Sequence, residues 1–205
     1  NYEANIQKKL IEIFNDTALK ICEGQQLDIE FEKENELKFS DYIQMIKYKT
    51  AVLLGSSLKM GGIINNVSES DLESLYEIGL NLGLAFQIQD DYLDLYGDQK
   101  LIGKKIGGDV MKRKKTVMYH IYKEISSAKD SQILDQVYNG SESYDDSKIQ
   151  KVFDLYKQAK VDVKTKDLVK EYSSKAINSL ENLNVKNHEK SDLILICNNL
   201  ILRAY

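Results

Sequence analysis

The sequence contains no proline and only two cysteines, and no apolar run in it approaches the length of a membrane span. Each absence excludes something. A loop-rich or all-β chain of 205 residues would normally use proline in its turns, so its absence favours helices. Cys22 and Cys197 lie almost a chain apart, with no Cys-x-x-Cys or Cys/His ligand spacing. That excludes a disulfide framework and a zinc site and fits a reducing, cytoplasmic compartment. The longest apolar stretches, such as Leu193 to Cys197, fall far short of the ~20 residues that cross a bilayer, and no basic-then-apolar leader opens the chain. Nor is there an excess of positive charge. With 28 basic residues against 32 acidic the net charge is −4, which excludes nucleic acid as a partner of the whole surface. Any anion site must be local. What is present is 42% apolar content, enough to bury the core of a single domain over residues 1–205 and to exclude disorder. The chain starts at Asn1 rather than Met, so a processed or truncated product is expected.

Apolar residues recur at spacings of three and four almost throughout, and no stretch alternates with period two, so the pattern is all-α. It predicts a first helix from about Ala4 to Glu23, with Gly24 a break or a close contact. A second follows the cap Ser40 and runs toward Gly61-Gly62. Ser68-x-x-Asp71 is a capping pattern that announces a third, from about Asp71 to Tyr96. A glycine- and lysine-rich loop occupies Gly97 to Lys115, and a helical pattern resumes from Thr116 to about Val137. After a polar connector, Ile149 to Leu183 reads as one long or two shorter amphipathic helices, and a last helix covers Glu189 to Arg203. No repeat and no long linker divides the chain.

The third helix is apolar nearly all the way round, yet its end reads Phe86-Gln-Ile-Gln-Asp-Asp-Tyr-Leu-Asp94. At about 100° per residue, Gln87, Asp90, Asp91 and Asp94 fall on one face. Carboxylates so spaced repel one another by a few tenths of a kcal/mol per pair, and they occupy the helix end whose dipole favours cations. Something positive belongs there. Aspartate oxygens are hard ligands, and a few carboxylates with phosphate oxygens and water is how Mg²⁺ is usually held. The following loop places seven cations (Lys100, Lys104, Lys105, Lys112, Arg113, Lys114, Lys115) within sixteen residues, interrupted by Asp109, while Gly103, Gly107 and Gly108 let the backbone approach a ligand. Together they suggest a diphosphate held between metal and ammonium groups. Gly79 and Gly83 lie on the same side of the helix as Gln87, Asp90 and Asp94, a side that faces either a tightly packed neighbour or a cavity suited to an apolar tail. Singly these features read as a solvated helix end, a charged surface and helix packing. Their convergence within forty residues gives them weight. His120 and His188 accompany no nucleophile–base constellation and read as structural or surface residues.

The stretch from Gly83 to Asp98, with its Phe-Gln-Ile-Gln-Asp-Asp-Tyr-Leu-Asp core, resembles the second aspartate-rich motif of the trans-isoprenyl diphosphate synthases, also called polyprenyl synthetases. Gly103-Lys104 through Gly107-Gly108-Asp109 resembles the lysine-bearing loop that follows it in that family. Gly24-Gln25-Gln26-Leu27-Asp28 is similar to the family's Gly-Gln-x-x-Asp element, and Lys49-Thr50 to its Lys-Thr pair. The four occur in the family's order.

The resemblance implies an all-α prenyltransferase bundle around a deep central cavity, lacking its early helices, and usually homodimeric. It implies a Mg²⁺-dependent transferase of isoprenoid biosynthesis that condenses an allylic diphosphate with isopentenyl diphosphate and releases diphosphate. By that likeness Asp90, Asp91 and Asp94 bind Mg²⁺, Asp90 most directly. Lys49, Lys104 and Lys114 contact diphosphate oxygens, Thr50 and Gln87 lie near the allylic carbon, and Gln25 and Asp28 support the substrate-binding network. No protein nucleophile is required, because metal and ammonium groups stabilise the departing charge. The family's first Asp-Asp-x-x-Asp motif, flanked by arginines, is not among these residues: the only arginines are Arg113 and Arg203, and Arg113 stands where asparagine is expected. The chain therefore aligns with the later two thirds of a family member and is expected to turn over little by itself. A non-catalytic diphosphate-binding or partner subunit of the same fold is the alternative.

Overall fold

Helix α1 (Ala4–Phe31) runs eight residues beyond the end expected at Glu23. Gly24 does not break it, because the residue marks a close approach: a Cβ there would lie 2.3 Å from the Lys49 backbone nitrogen. The next helix begins at Phe39, so Ser40 lies within its first turn instead of capping it, and it is interrupted. Helices α2 (Phe39–Ile46) and α3 (Val52–Ile64) flank a π-helical turn, Lys47–Ala51. Such a turn widens the helix by one residue without ending it and is common at functional positions. Helix α4 (Glu69–Tyr96) starts as its capping pattern predicts, the Ser68 Oγ accepting the Asp71 amide at 3.1 Å and donating to its carboxylate at 2.7 Å.

A four-residue helix α5 (Gly108–Met111) precedes α6 (Val117–Ile125) and α7 (Ala128–Asn139), which replace the single helix expected from Thr116 to Val137. The division falls at Ser126-Ser127, where Ser127 caps α7 through the Asp130 amide at 3.2 Å and the Asp130 carboxylate at 2.8 Å. This is a second Ser-x-x-Asp cap. Helices α8 (Asp146–Gln158) and α9 (Val161–Glu181) separate at Lys160, whose φ of 55° no helix continues through. Helix α10 (Asn187–Ile201) closes the chain.

These elements come from a computed structural model that describes residues 2–98, 106–139, 146–185 and 187–201, and among them there is no strand. Two compact units are present, each discontinuous in sequence: Asn1–Leu27, Gln44–Gln87 and Val169–Ala204 in the first, Asp28–Ile43 and Ile88–Leu168 in the second. In the first unit Ile78 and Leu82 of α4 pack with Ala176, Leu180, Leu183 and Cys197, flanked by Leu54, Leu58 and Leu75. In the second, Tyr42, Ile88, Val117, Leu134, Val152, Tyr156 and Val161 are buried. Burying each such side chain contributes about 1.5–3 kcal/mol, which is why the helical stripes hold.

Candidate active site

The C-terminal turns of α4 treat the three aspartates differently. Asp90 is exposed and Asp94 half-buried, whereas Asp91 is 6% exposed and accepts the Tyr42 hydroxyl at 2.5 Å. Asp94 is bound to the loop that follows. Its Oδ2 accepts the Asp109 amide at 2.9 Å and its carbonyl accepts the Gly107 amide at 2.7 Å. Gly107 has φ of 77°, a conformation that favours glycine, and a Cβ on Gly108 would meet the Asp94 carboxylate at 3.0 Å. The two glycines do permit a close approach, and what they approach is Asp94. Beside them the Asp109 carboxyl is pushed up to about 6, first by burial, then by the charges of Asp94, Asp90 and Asp28, with Lys114 opposing.

Lys114 lies close enough to Asp109 for their charges to interact. Its Nζ lies 2.9 and 2.8 Å from the two oxygens of buried Asp28 and 3.7 Å from Glu32. Burial works against its charge, but Asp28 and Asp109 outweigh that and hold it above the usual lysine range. Arg113, just before it, adopts a left-handed φ of 59°. Lys115 is half-spoken for as well, donating to the Glu34 carbonyl at 2.6 Å, and burial lowers its basicity. Lys104, with Lys100, Lys105 and Gly103, lies outside the described residues.

In the other unit, Lys49 and Thr50 occupy the π-helical turn, and the Thr50 hydroxyl donates to Gln87 Oε1 at 2.9 Å. The pair expected near one carbon atom is thus in contact. Lys49 is half-buried and Gln25 is exposed. The question left open for Gly79 and Gly83 is decided for packing. A Cβ on Gly79 would lie 2.5 Å from Gly55 backbone atoms and one on Gly83 2.4 Å from the Ala51 Cα, so these glycines let α4 touch α3 and the π-helical turn before it rather than line a cavity.

Two residues of the site were missed in the sequence. Tyr42 carries no motif of its own and stands in sequence beside the apolar Ile43 and Ile46, although a buried tyrosine must find a partner for its hydroxyl. Asp109 stands in the sequence as an interruption among cations at the end of the lysine-bearing loop, with nothing there to give it a role. Among the described residues no three His, Cys, Asp or Glu side chains converge into a protein-only metal cage.

The family model for polyprenyl synthetase matches residues 2–156. The chain is 35% identical over 187 residues to the geranylgeranyl diphosphate synthase of Saccharolobus solfataricus, covering 90% of this chain and 55% of that protein. It is 35% identical over 150 residues to a short chain isoprenyl diphosphate synthase of Methanocaldococcus jannaschii, covering 73% and 45%. Among solved structures it is similar to geranylgeranyl pyrophosphate synthetase from Pyrococcus horikoshii, with TM-score 0.88 and 32% identity over 99% of this chain and 61% of that one. It is similar too to a polyprenyl synthase from Caulobacter crescentus complexed with calcium and isoprenyl diphosphate, with TM-score 0.84 and 26% identity over 96% and 60%. The chain spans about half the length of the curated relatives it matches. The fold is the all-α prenyl synthase bundle that the motifs implied, and the chain belongs to the polyprenyl synthetase family.

Proposed function

We propose that this chain serves a trans-prenyl diphosphate synthase of isoprenoid biosynthesis, which joins an allylic diphosphate to isopentenyl diphosphate. The observation that carries the reading is the crowding of Asp90, Asp94 and Asp109 beside a lysine already paired with Asp28. An acidic group so placed is expected where metal ions arrive with an anionic substrate. The calcium and isoprenyl diphosphate of the Caulobacter crescentus relative support the same ligand class here.

In this reading Asp90 and Asp94 supply carboxylate oxygens for Mg²⁺, which when bound would neutralise charge on the diphosphate oxygens. Lys114, held charged by Asp28, Lys49 and Lys104 contact those oxygens, and Gln25 lies in the same network. Thr50 and Gln87, linked by their hydrogen bond, present oxygens to the allylic carbon as positive charge develops there. The allylic C–O bond breaks with both electrons leaving on diphosphate, the double bond of isopentenyl diphosphate forms the new C–C bond, and a proton is lost from the product. Residues 1–205 act as a single domain in a cytoplasmic homodimer. Ile11, Phe14 and Leu19 of α1 are exposed, an apolar face that a second copy would cover. No described helix is long and apolar enough to cross a membrane.

The 205 residues hold one aspartate-rich motif where the resemblance implies two. The polypeptide is therefore expected to bind without turning over, a behaviour shared by the second reading, a non-catalytic partner subunit. Thermal melting with MgCl₂, with inorganic pyrophosphate and with both tests the binding. The account predicts a rise in Tm only when both are present, since a ligand that binds the folded state alone stabilises it by RT ln(1 + [L]/Kd), and the rise should vanish in Asp90→Asn. An equal rise in that variant, or none in the parent, contradicts it.

A further inference from the structure

The sequence motif gives its three aspartates one role, but the helix cannot. Asp90 and Asp94 are about 40° apart around the axis, whereas Asp91 stands about 100° from Asp90, toward the side that carries Ile88 and Leu95. Ile88 is 0% and Leu95 3% exposed, so Asp91 borders the apolar stripe rather than the exposed one. A carboxylate in such a place needs a donor, and it has one in the Tyr42 hydroxyl. Tyr42 is itself immobilised. It is buried, its ring stacks on Phe39 at 6.1 Å with 12° between planes, and His120 lies against it at 5.6 Å.

We propose that Tyr42 and Asp91 form an anchor that positions the metal motif without ligating: the Tyr42 hydroxyl fixes the buried Asp91 carboxylate and thereby the rotation of the last turns of α4, so that Asp90 and Asp94 keep the orientation in which they bind. The proposal rests on the reading of Asp90 and Asp94 as metal-binding residues. It makes Tyr42 a positioning residue on a different helix, reached through a hydrogen bond that no aspartate-rich motif records. Asp94 is pinned independently, through the Asp109 amide, so the turn is held at two points, with Asp90 beside them on the exposed side.

Isothermal titration of the 205-residue chain with Mn²⁺ in saturating inorganic pyrophosphate, alongside melting curves without metal, separates anchoring from ligation and from core packing. Tyr42→Phe and Asp91→Ala should each weaken Mn²⁺ binding about tenfold, the size typical of groups that orient ligands. Their double variant should be no weaker than the worse single one, since both break the same bond. Asp91→Asn keeps an oxygen for the Tyr42 hydroxyl and should lose less than about threefold, while Asp90→Asn should lose far more. An Asp91→Asn variant as impaired as Asp90→Asn would make Asp91 a ligand and overturn the anchor. So would a Tyr42→Phe protein that melts earlier but binds Mn²⁺ like the parent. Absence of Mn²⁺ binding by the parent chain would overturn the functional reading itself, and the anchor with it.

Discussion

Lowering the pH from 7 to 5 is expected to cost this protein about 2 kcal/mol of stability through His120 alone. The residue is 8% exposed, its ring lies within 5.4 to 5.6 Å of the Phe39, Tyr42 and Tyr119 rings, and its Nε2 has no hydrogen-bond partner. Burial lowers its pKa from 6.5 to about 4. Between those values the unfolded chain takes up a proton that the folded chain refuses. Stability is therefore complete above about pH 6.5 and lost as pH falls, reaching about 3 kcal/mol below pH 4, with roughly 2 kcal/mol gone by pH 5. Asp109 works in the opposite sense. Its carboxyl, raised to about 6, favours the folded state below about 4, and that contribution fades as pH rises to 6. The comparison must therefore be between two proteins. His120→Phe keeps an aromatic ring among aromatic rings and leaves Asp109 in place. Urea unfolding of parent and variant at pH 7 and pH 5 should show the variant gaining about 2 kcal/mol on the parent across that interval. Equal losses in the two proteins would mean that His120 is protonated inside the fold, and the reasoning from its apolar enclosure would fail.

Arg113→Gly should raise stability by about 0.5–1 kcal/mol, because a left-handed φ of 59° strains a side chain and not glycine; differential scanning calorimetry showing a lower Tm would refute this. Gly83→Leu should destabilise by about 3 kcal/mol or more, since even its Cβ would stand 2.4 Å from the Ala51 Cα, and fold and binding should fail together. A stable Gly83→Leu protein that had lost only the binding of a long substrate would restore the cavity that the packing replaces.

Much of this was legible because helices announce themselves locally. The three-and-four spacing gave the all-α class, and the Ser68-x-x-Asp71 cap gave the start of α4 within two residues. The same cap at Ser127-x-x-Asp130 went unread because the apolar spacing of α6 continues smoothly into α7 across it. Gly24 leaves a break and a close contact equally open for a related reason: without its neighbour, a glycine that makes room for the Lys49 backbone looks the same as one that ends a helix. The π-helical turn at Lys47–Ala51 has no sequence signature of its own, yet it carries Lys49 and Thr50. In the site, the residues of a contiguous motif could be found by spacing, but their inequality could not. Asp91 differs from Asp90 and Asp94 because of Tyr42, which is 49 residues away in sequence. Asp28 and Lys114, 86 residues apart, are likewise joined only by folding.

Crystals grown with Mn²⁺ and inorganic pyrophosphate, measured for anomalous scattering at the manganese edge, would test the account most directly. It predicts manganese at about 2.0–2.3 Å from carboxylate oxygens of Asp90 and Asp94 and bridged to the pyrophosphate, with Asp91 still bound to Tyr42. Manganese bound elsewhere in the chain, or Asp90 left in bulk water while pyrophosphate sits at another site, would contradict it.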